Sequence, residues 1–127
     1  MNIHTPYQDR LNRDPDFVVE YELDPCEELK ESKPGQGMRV GFLYEEDSGS
    51  SDVYMIWPEI LDNSGNIVTD LTPGIMAPKG KANMWVVNDK FRPYHAERIT
   101  VGTKGYWVRG SFRLAKVTVI EIGSLKC

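Results

Sequence analysis

The segment from residue 90 to residue 98 carries the side chains with the most chemistry to offer. It holds a histidine, a tyrosine and two arginines: Arg92, Tyr94, His95 and Arg98. An imidazole titrates near neutral pH and could act as a general base. However, no serine or cysteine lies in a recognisable nucleophile elbow, and no two carboxylates have the spacing of a catalytic dyad. We therefore interpret His95 as a surface contact residue and predict no catalytic residues; an enzyme of unknown type is the third hypothesis.

A glycine-rich stretch, residues 74–82, is spaced almost like a phosphate-binding loop. Five residues separate its glycines where that motif has four, and it ends in Ala82 instead of the serine or threonine that would meet Mg²⁺. Pro78 also removes one of the backbone N–H groups that such a loop uses. The stretch predicts a turn, and we expect no nucleotide binding.

The cysteines and histidines are sparse. Cys26, Cys127, His4 and His95 lack the spacing of a metal site, so we predict no metal and no other cofactor. Two cysteines, one of them the last residue, indicate free thiols better than a disulfide framework. The first residues lack the apolar stretch of a secretory signal, and the longest apolar runs are too short to span a bilayer. We expect a cytoplasmic protein that does not enter a membrane.

A candidate contact surface combines the segment 90–98 with two arginines further along the chain. Its members are Arg92, Tyr94, His95, Arg98, Arg109 and Arg113. Arg109 and Arg113 flank Gly110, so a tight turn would bring their guanidinium groups close together. Arginine and tyrosine are also enriched at interface hot spots. If both segments lie at one end of the fold, they form a basic, aromatic patch for an acidic protein partner.

The distribution of charge leaves a second interpretation open. Residues 1–72 contain sixteen acidic and five basic side chains, whereas residues 73–127 contain ten basic and three acidic ones. Such asymmetry can mark an anionic partner. It is equally compatible with acidic residues, those of the segment 45–52 among them, folding over the basic patch and neutralising it internally.

Alternating apolar and polar residues predict the elements that position these side chains. Strands are indicated over residues 17–23, 38–44, 53–57, 67–69, 82–87, 98–101, 106–109 and 112–122. No helix of normal length is predicted, so the fold class is all-β, a small six- to seven-stranded antiparallel β-barrel. We expect one domain over residues 17–122, a flexible N-terminal arm over 1–16 and a tail over 123–127.

The same alternation predicts which side chains share the core. They are Phe17, Val19, Tyr21, Met38, Val40, Phe42, Met84, Val86, Tyr106 and Val108. In the last strand the apolar parity changes, which indicates a β-bulge near Ala115 and Lys116. Pro58 is expected to end the strand over residues 53–57, and residues 59–61 are expected to form a hairpin with residues 67–69.

Several of these pieces, in this order, resemble the C-terminal (third) β-barrel domain of the translation elongation factor Tu family. The resemblance covers roughly residues 16–122 and is carried by five segments: 17–23, 37–44, 76–87, 92–93 and 102–113. The sequence departs from the family at residues 114–117, where a small-residue step is replaced, and at 45–52, which is longer. It has no counterpart of the family's GTP-binding domain, so we do not expect a translation GTPase.

The resemblance implies a docking role, and we predict a non-catalytic binding module that acts through protein–protein contacts. It could imitate the elongation factor domain, or act as an immunity- or antitoxin-type protein. The alternative is a small RNA-binding barrel, because aromatic residues alternate with lysine and arginine in the basic half: Trp85, Phe91, Tyr94, Tyr106 and Trp107. A sequence pI near 5.2 is unfavourable for binding phosphates unspecifically.

Overall fold

The structure, a computed structural model, describes residues 4–23, 35–47, 53–70, 77–109 and 112–126. Within them, six antiparallel strands form one curled sheet with the shape of a half-barrel. The strands are β1 (Phe17–Leu23), β2 (Gly41–Tyr44), β3 (Ile56–Ile60), β4 (Lys79–Val86), β5 (Lys104–Arg109) and β6 (Phe112–Ile122). Their order in the sheet is β2-β5-β6-β1-β4-β3, and the helices α1 (Tyr7–Leu11) and α2 (Arg92–Arg98) are short. The predicted all-β fold class is confirmed.

The two edges of the sheet meet at one residue pair. Phe42 in β2 donates its N–H to the Tyr54 carbonyl at 2.8 Å, and the Tyr54 N–H donates to the Phe42 carbonyl at 2.9 Å. Tyr54 lies just before β3, the opposite edge strand. This bridge shows how far the sheet curls, and it fixes residues 53–55 against β2.

The core lies inside the curl and largely follows the predicted alternation. Seven of the ten expected residues are buried in it: Phe17, Val19, Tyr21, Val40, Phe42, Met84 and Val86. Met38 is partly buried and packs against them. In β5 the prediction was wrong for Tyr106, which is half-exposed, because Trp107 faces the core and stacks on Tyr21 at a centroid distance of 5.1 Å. Val108, the other residue expected from β5, is buried. Tyr106, Trp107 and Val108 are three consecutive large apolar residues, so the sequence has no alternation that would show which of them face the core. The pairing of Trp107 with Phe42 places Trp107 on the core side of the sheet.

The predicted bulge occurs one residue before its expected place. Trp107 pairs with Ala115, but Val108 pairs with Arg113, so Leu114 is the extra residue of β6. Leu114 and Ala115 are consequently both fully buried, although neighbours in a regular strand face opposite sides.

Two local predictions were wrong. Residues 98–101 do not form a strand: Arg98 ends α2, and the buried Ile99 donates its N–H to the His95 carbonyl at 2.8 Å. Pro93 lies in the first turn of α2, where a backbone N–H has no hydrogen-bond partner within the helix, so a proline at this position costs no hydrogen bond. Pro58 lies within β3 instead of ending it, as an edge strand permits. The expected hairpin is present as the Leu61–Ile67 bridge.

Residues 4–16, expected to form an arm, pack on the outer face of β3 and β4. Their anchor is Glu59, which is fully buried. Its carboxylate bonds to His4 Nε2 at 2.7 Å and accepts from the Tyr7 N–H at 2.9 Å and from Trp85 Nε1 at 3.2 Å. The C-terminal residues are also fastened, since Gly123 donates its N–H to the Asp16 carbonyl and Leu125 is buried. In the described part of the chain, no helix combines the length and apolar character needed to cross a membrane.

Candidate functional site

The structure places the six predicted contact residues at opposite ends of the sheet. Strand β5 begins beside the end of β2, where Gly105 pairs with Tyr44, and it ends at Arg109, which pairs with Phe112 at the start of β6. Helix α2, which carries Arg92, Tyr94, His95 and Arg98, lies at the first of these ends, here called the helix end. Arg109 and Arg113 lie at the second, where the last residues of β5 pair with the first residues of β6. The two segments therefore do not form one patch.

Arg92 is committed to a buried carboxylate. Its Nε donates to Asp16 Oδ1 at 2.8 Å, and its Nη2 donates to the Ser124 carbonyl at 3.0 Å. Asp16 is fully buried and also accepts from the Val86 N–H at 2.7 Å and from Arg13 Nη2 at 3.0 Å. This cluster joins β1, β4, α2 and the C-terminal residues, so Arg92 has a structural role.

Arg98 is neutralised by the acidic segment, as the second interpretation of the charge pattern anticipated. It donates Nη1 to Asp47 at 3.0 Å and Nη2 to Glu46. Its guanidinium carbon lies 3.7 Å from the centroid of the Tyr44 ring, a cation–π contact. At the other end, the Arg113 guanidinium lies 4.1 Å from the centroid of Tyr106.

His95 is not at the surface, and its interpretation as a surface contact residue was wrong. It is 1% exposed, and its Nδ1 lies 2.5 Å from the Tyr44 hydroxyl. Burial, with a smaller effect of the Arg98 charge, lowers the pKa of His95 to about 4, whereas burial raises the pKa of Tyr44 well above its usual value. At neutral pH both groups are uncharged.

These neutral states fix the protons of the pair. The Tyr44 hydroxyl has one hydrogen, and the adjacent Nδ1 is an acceptor when the imidazole carries its proton on Nε2. We therefore assign Tyr44 as donor and Nε2 as the protonated nitrogen of His95. Nε2 is buried and has no hydrogen-bond partner among the described residues. A buried N–H donor without an acceptor is uncommon in folded proteins.

We expect His95 to make the protein less stable in mild acid. Between pH 6.5 and pH 4 an unfolded imidazole binds a proton and the folded one does not, so acid favours unfolding. The contribution of the neutral, buried His95 to the free energy of unfolding is complete above pH 6.5, and it is lost as the pH falls to about 4. With ~1.4 kcal/mol per unit of pKa difference, it amounts to about 3 kcal/mol.

Urea unfolding of the wild type and of His95→Gln, measured from pH 7.5 to pH 4, checks this expectation. Glutamine does not titrate, and the carboxylates common to both proteins cancel in the difference. The free energy of unfolding of the wild type should fall about 3 kcal/mol further than that of the variant. Parallel curves would show that the imidazole binds its proton equally well in the folded and unfolded states, so that burial does not lower its pKa.

Beside His95 the helix end has a small apolar pocket of about 250 Å³. Its walls are Val53, Tyr54, Met55, Val86, Asn88, Phe91 and His95. Around it lie four large hydrophobic side chains with high exposure, which we call the end patch: Val53 (46%), Met55 (58%), Phe91 (47%) and Tyr94 (40%). The Tyr94 ring adjoins the Tyr54 ring at 5.5 Å, and the Phe91 ring does so at 6.3 Å.

The backbone under the end patch is well supported. Asn88 Oδ1 accepts from the Lys90 N–H at 3.1 Å, and the Phe91 N–H donates to the Asn88 carbonyl at 2.9 Å. Val53 occupies the space left by Gly41, whose Cβ, if present, would lie 2.0 Å from a Val53 methyl group. Sequence reasoning missed this surface because the run 53–57 looks like a buried strand; the exposed Phe91 beside Tyr94 was the available signal.

A second concavity, of about 700 Å³, lies on the outer face of β4, β1, β6 and β5. Register places Glu22 between Lys79 and Lys116, and Glu20 between Lys81 and Thr118. Lys104 and Tyr106 extend the two rows onto β5. This groove is polar and its charges alternate, in contrast to the apolar pocket at the helix end.

No protein-family model, curated protein or solved structure matches the chain. The resemblance to the third domain of elongation factor Tu therefore stays a prediction. Among the described residues, no three histidine, cysteine, aspartate or glutamate side chains are grouped so that they could hold a metal ion. The stretch compared with a phosphate-binding loop is described only from residue 77, and from Lys79 onward it is strand β4.

Proposed function

We propose that this chain is a non-catalytic binding module that docks a protein partner on the end patch. The observation that carries the proposal is the concentration of Val53, Met55, Phe91 and Tyr94 around one pocket. Scattered exposed hydrophobic residues are normal on a soluble protein. A contiguous group rimmed by polar residues is typical of an interaction site, and aromatic residues and methionine are enriched in protein interfaces.

The supports of the end patch favour binding without a large rearrangement. Residues 53–55 are held by the Phe42–Tyr54 bridge, and Phe91 is held by the capped turn before α2. A surface that is already ordered loses little conformational entropy when a partner binds. Function on loops of a rigid scaffold is a common arrangement in β-proteins.

The charges beside the end patch favour a partner with basic residues. Glu46 is mostly exposed and Asp47 lies beside it, and both contact Arg98, which in turn contacts the Tyr94 hydroxyl. The acidic partner expected from the sequence depended on arginines of α2 that are paired internally. Two carboxylates share the single guanidinium of Arg98, so an excess of negative charge remains beside the end patch. We therefore propose a contact segment with an apolar side chain at its centre and basic side chains near the exposed Glu46.

The biological role of the interaction is predicted from the sequence alone. Imitation of an elongation factor domain and an immunity- or antitoxin-type role both stay predictions, as does the cytoplasmic location. In either role the end patch would be the part of the chain that touches the partner.

RNA binding is the second candidate, and the outer groove favours it. Tyr106 is half-exposed there beside Lys104 and Lys116, and Arg113 lies over its ring. Such a combination can stack a base and hold phosphates. Glu20 and Glu22 in the same rows oppose an anionic ligand. Of the other aromatic residues considered for stacking, Trp85 and Trp107 are buried.

The proposal predicts that polar substitutions on the end patch abolish partner capture without unfolding the protein. The variant is Met55→Ser with Phe91→Ser, and the assay is affinity capture from nuclease-treated lysate, followed by binding of the purified partner. Since central interface residues each contribute ~2 kcal/mol, affinity should fall by at least about 30-fold. Urea unfolding should show a change within about 1 kcal/mol, because both side chains are largely exposed.

A matched control is Val101→Ser, which removes another exposed hydrophobic side chain that does not line the pocket. It should bind the partner like the wild type. Equal affinity of the double variant and the wild type would contradict the proposal. Co-purifying material that absorbs at 260 nm, and that is lost steeply with salt, would favour the RNA-binding alternative.

A further inference from the structure

The end patch is the centre of an array of side chains that is basic on one side and acidic on the other. Within the patch, the ring centroids of Phe91 and Tyr94 lie 6.3 Å and 5.5 Å from that of Tyr54. The exposed Lys90 precedes Phe91 in the chain. Glu46 lies beyond Tyr94, because both side chains bond to the same guanidinium. The order across the array is therefore basic, apolar and acidic.

The ion pairs within the chain leave a charge over on each side of the array. Asp89, the acidic neighbour of Lys90, is paired with Arg13 at 3.5 Å. The Lys90 ammonium group is therefore the uncompensated charge of its segment. On the acidic side, two carboxylates share the single guanidinium of Arg98, so negative charge is in excess there.

An array of this kind is complementary to itself. A two-fold axis that lies in the plane of contact, perpendicular to the array, places two copies antiparallel. The basic side of each copy then faces the acidic side of the other, and the apolar centres meet. An apolar centre within a rim of opposite charges is the usual anatomy of a protein interface.

We propose that the end patch pairs with the end patch of a second copy of this chain, with Lys90 of each copy beside Glu46 of the other. Burial of Val53, Met55 and Phe91 of both copies drives the contact, since these side chains are exposed in the single chain. The inference goes beyond the proposed function by naming a second occupant of the same surface, which another protein partner has to displace. The interface is small, so the dissociation constant should be on the order of 10–100 µM.

Sedimentation equilibrium of the purified chain, over a range of about 5 to 500 µM that brackets this dissociation constant, measures the self-association. The average mass should rise from that of one chain towards that of two. Met55→Ser with Phe91→Ser should stay monomeric throughout. Val101→Ser, which removes an exposed hydrophobic side chain outside the pocket, should dimerise like the wild type.

An exchange of charges tests the antiparallel arrangement. Lys90→Glu and Glu46→Lys should each raise the dissociation constant about tenfold, because like charges then face one another at both symmetric contacts. The variant with both substitutions has opposite charges at these contacts again, and its dissociation constant should return to within about threefold of the wild type. Local damage to the fold by either substitution would not produce such a rescue.

A wild type that is monomeric at every concentration would overturn the inference, as would a dimer that persists in Met55→Ser with Phe91→Ser. Absence of rescue in the charge-exchange variant would also overturn it. If the wild type is monomeric but partner capture is still lost in the end-patch variant, the proposed function stands alone. A dimer lost in that variant with unchanged capture would support the pairing of end patches and remove the proposed function.

Discussion

Replacing Asp16 by alanine is expected to lower the free energy of unfolding by about 3–5 kcal/mol, the cost of removing one partner from a buried ion pair. Asp16 is completely buried and receives three donors, from Arg13, Val86 and Arg92. Without the carboxylate, two guanidinium groups lose their counter-charge and a strand N–H loses its acceptor. These groups lie on separate elements, so the helix end loses its common attachment point.

Urea unfolding followed by tryptophan fluorescence measures this loss. Asp14→Ala is the matched control, because the Asp14 carboxylate accepts an exposed hydrogen bond from Gln8. That variant should stay within about 0.5 kcal/mol of the wild type. A loss below about 1 kcal/mol for Asp16→Ala would show that the buried cluster is not formed as described.

Replacing Phe42 by alanine is expected to cost about 3–5 kcal/mol, the usual range for a phenylalanine removed from a core. Phe42 is fully buried, and its ring packs edge-on against Phe17 at 6.2 Å and Tyr44 at 5.0 Å. Phe42 also forms the backbone bridge to Tyr54, which joins the two edges of the sheet. If the backbone relaxes into the cavity left by the substitution, this bridge would be disturbed.

The control for this prediction is the same substitution at an exposed site. Phe91 is 47% exposed, so Phe91→Ala should cost less than about 1 kcal/mol while weakening partner binding. Opposite effects of the two variants on stability and binding are expected. A destabilisation of similar size for both would mean that Phe91 belongs to the core and not to a contact surface.

The sequence was sufficient for the fold class and for most of the core, because alternation is a local signal. In β1 the residues Phe17, Val19 and Tyr21 alternate with less buried neighbours, and all three are in the core. The parity change of β6 was also visible, and its cause is the bulge at Leu114. Strand β5 has no such alternation, so the face of Trp107 is decided by pairing with β2.

The site was harder to predict because its contacts are long-range. Arg92 is followed by Pro93 and Tyr94 in a segment of typical interface composition, yet its charge is taken up by Asp16, 76 positions earlier. Likewise the burial of His95 depends on Tyr44, 51 positions away. No local pattern encodes such pairs, and a list of candidate residues cannot show which of them already have partners.

The helix end has two layers with different roles. The inner layer, formed by Asp16, Arg92 and the Arg98 cluster, fixes α2 to the sheet through charge pairs. The outer layer is the end patch, whose side chains make few polar contacts. Variants of the inner layer should reduce stability first, and variants of the outer layer should reduce binding first.

The most direct test is hydrogen–deuterium exchange of the chain with and without its captured partner. Docking on the end patch predicts added protection of residues 53–55 and 88–98 and little change in residues 104–118. Protection confined to residues 104–118, the strands that line the outer groove, would contradict the account and place the partner on the other face of the molecule.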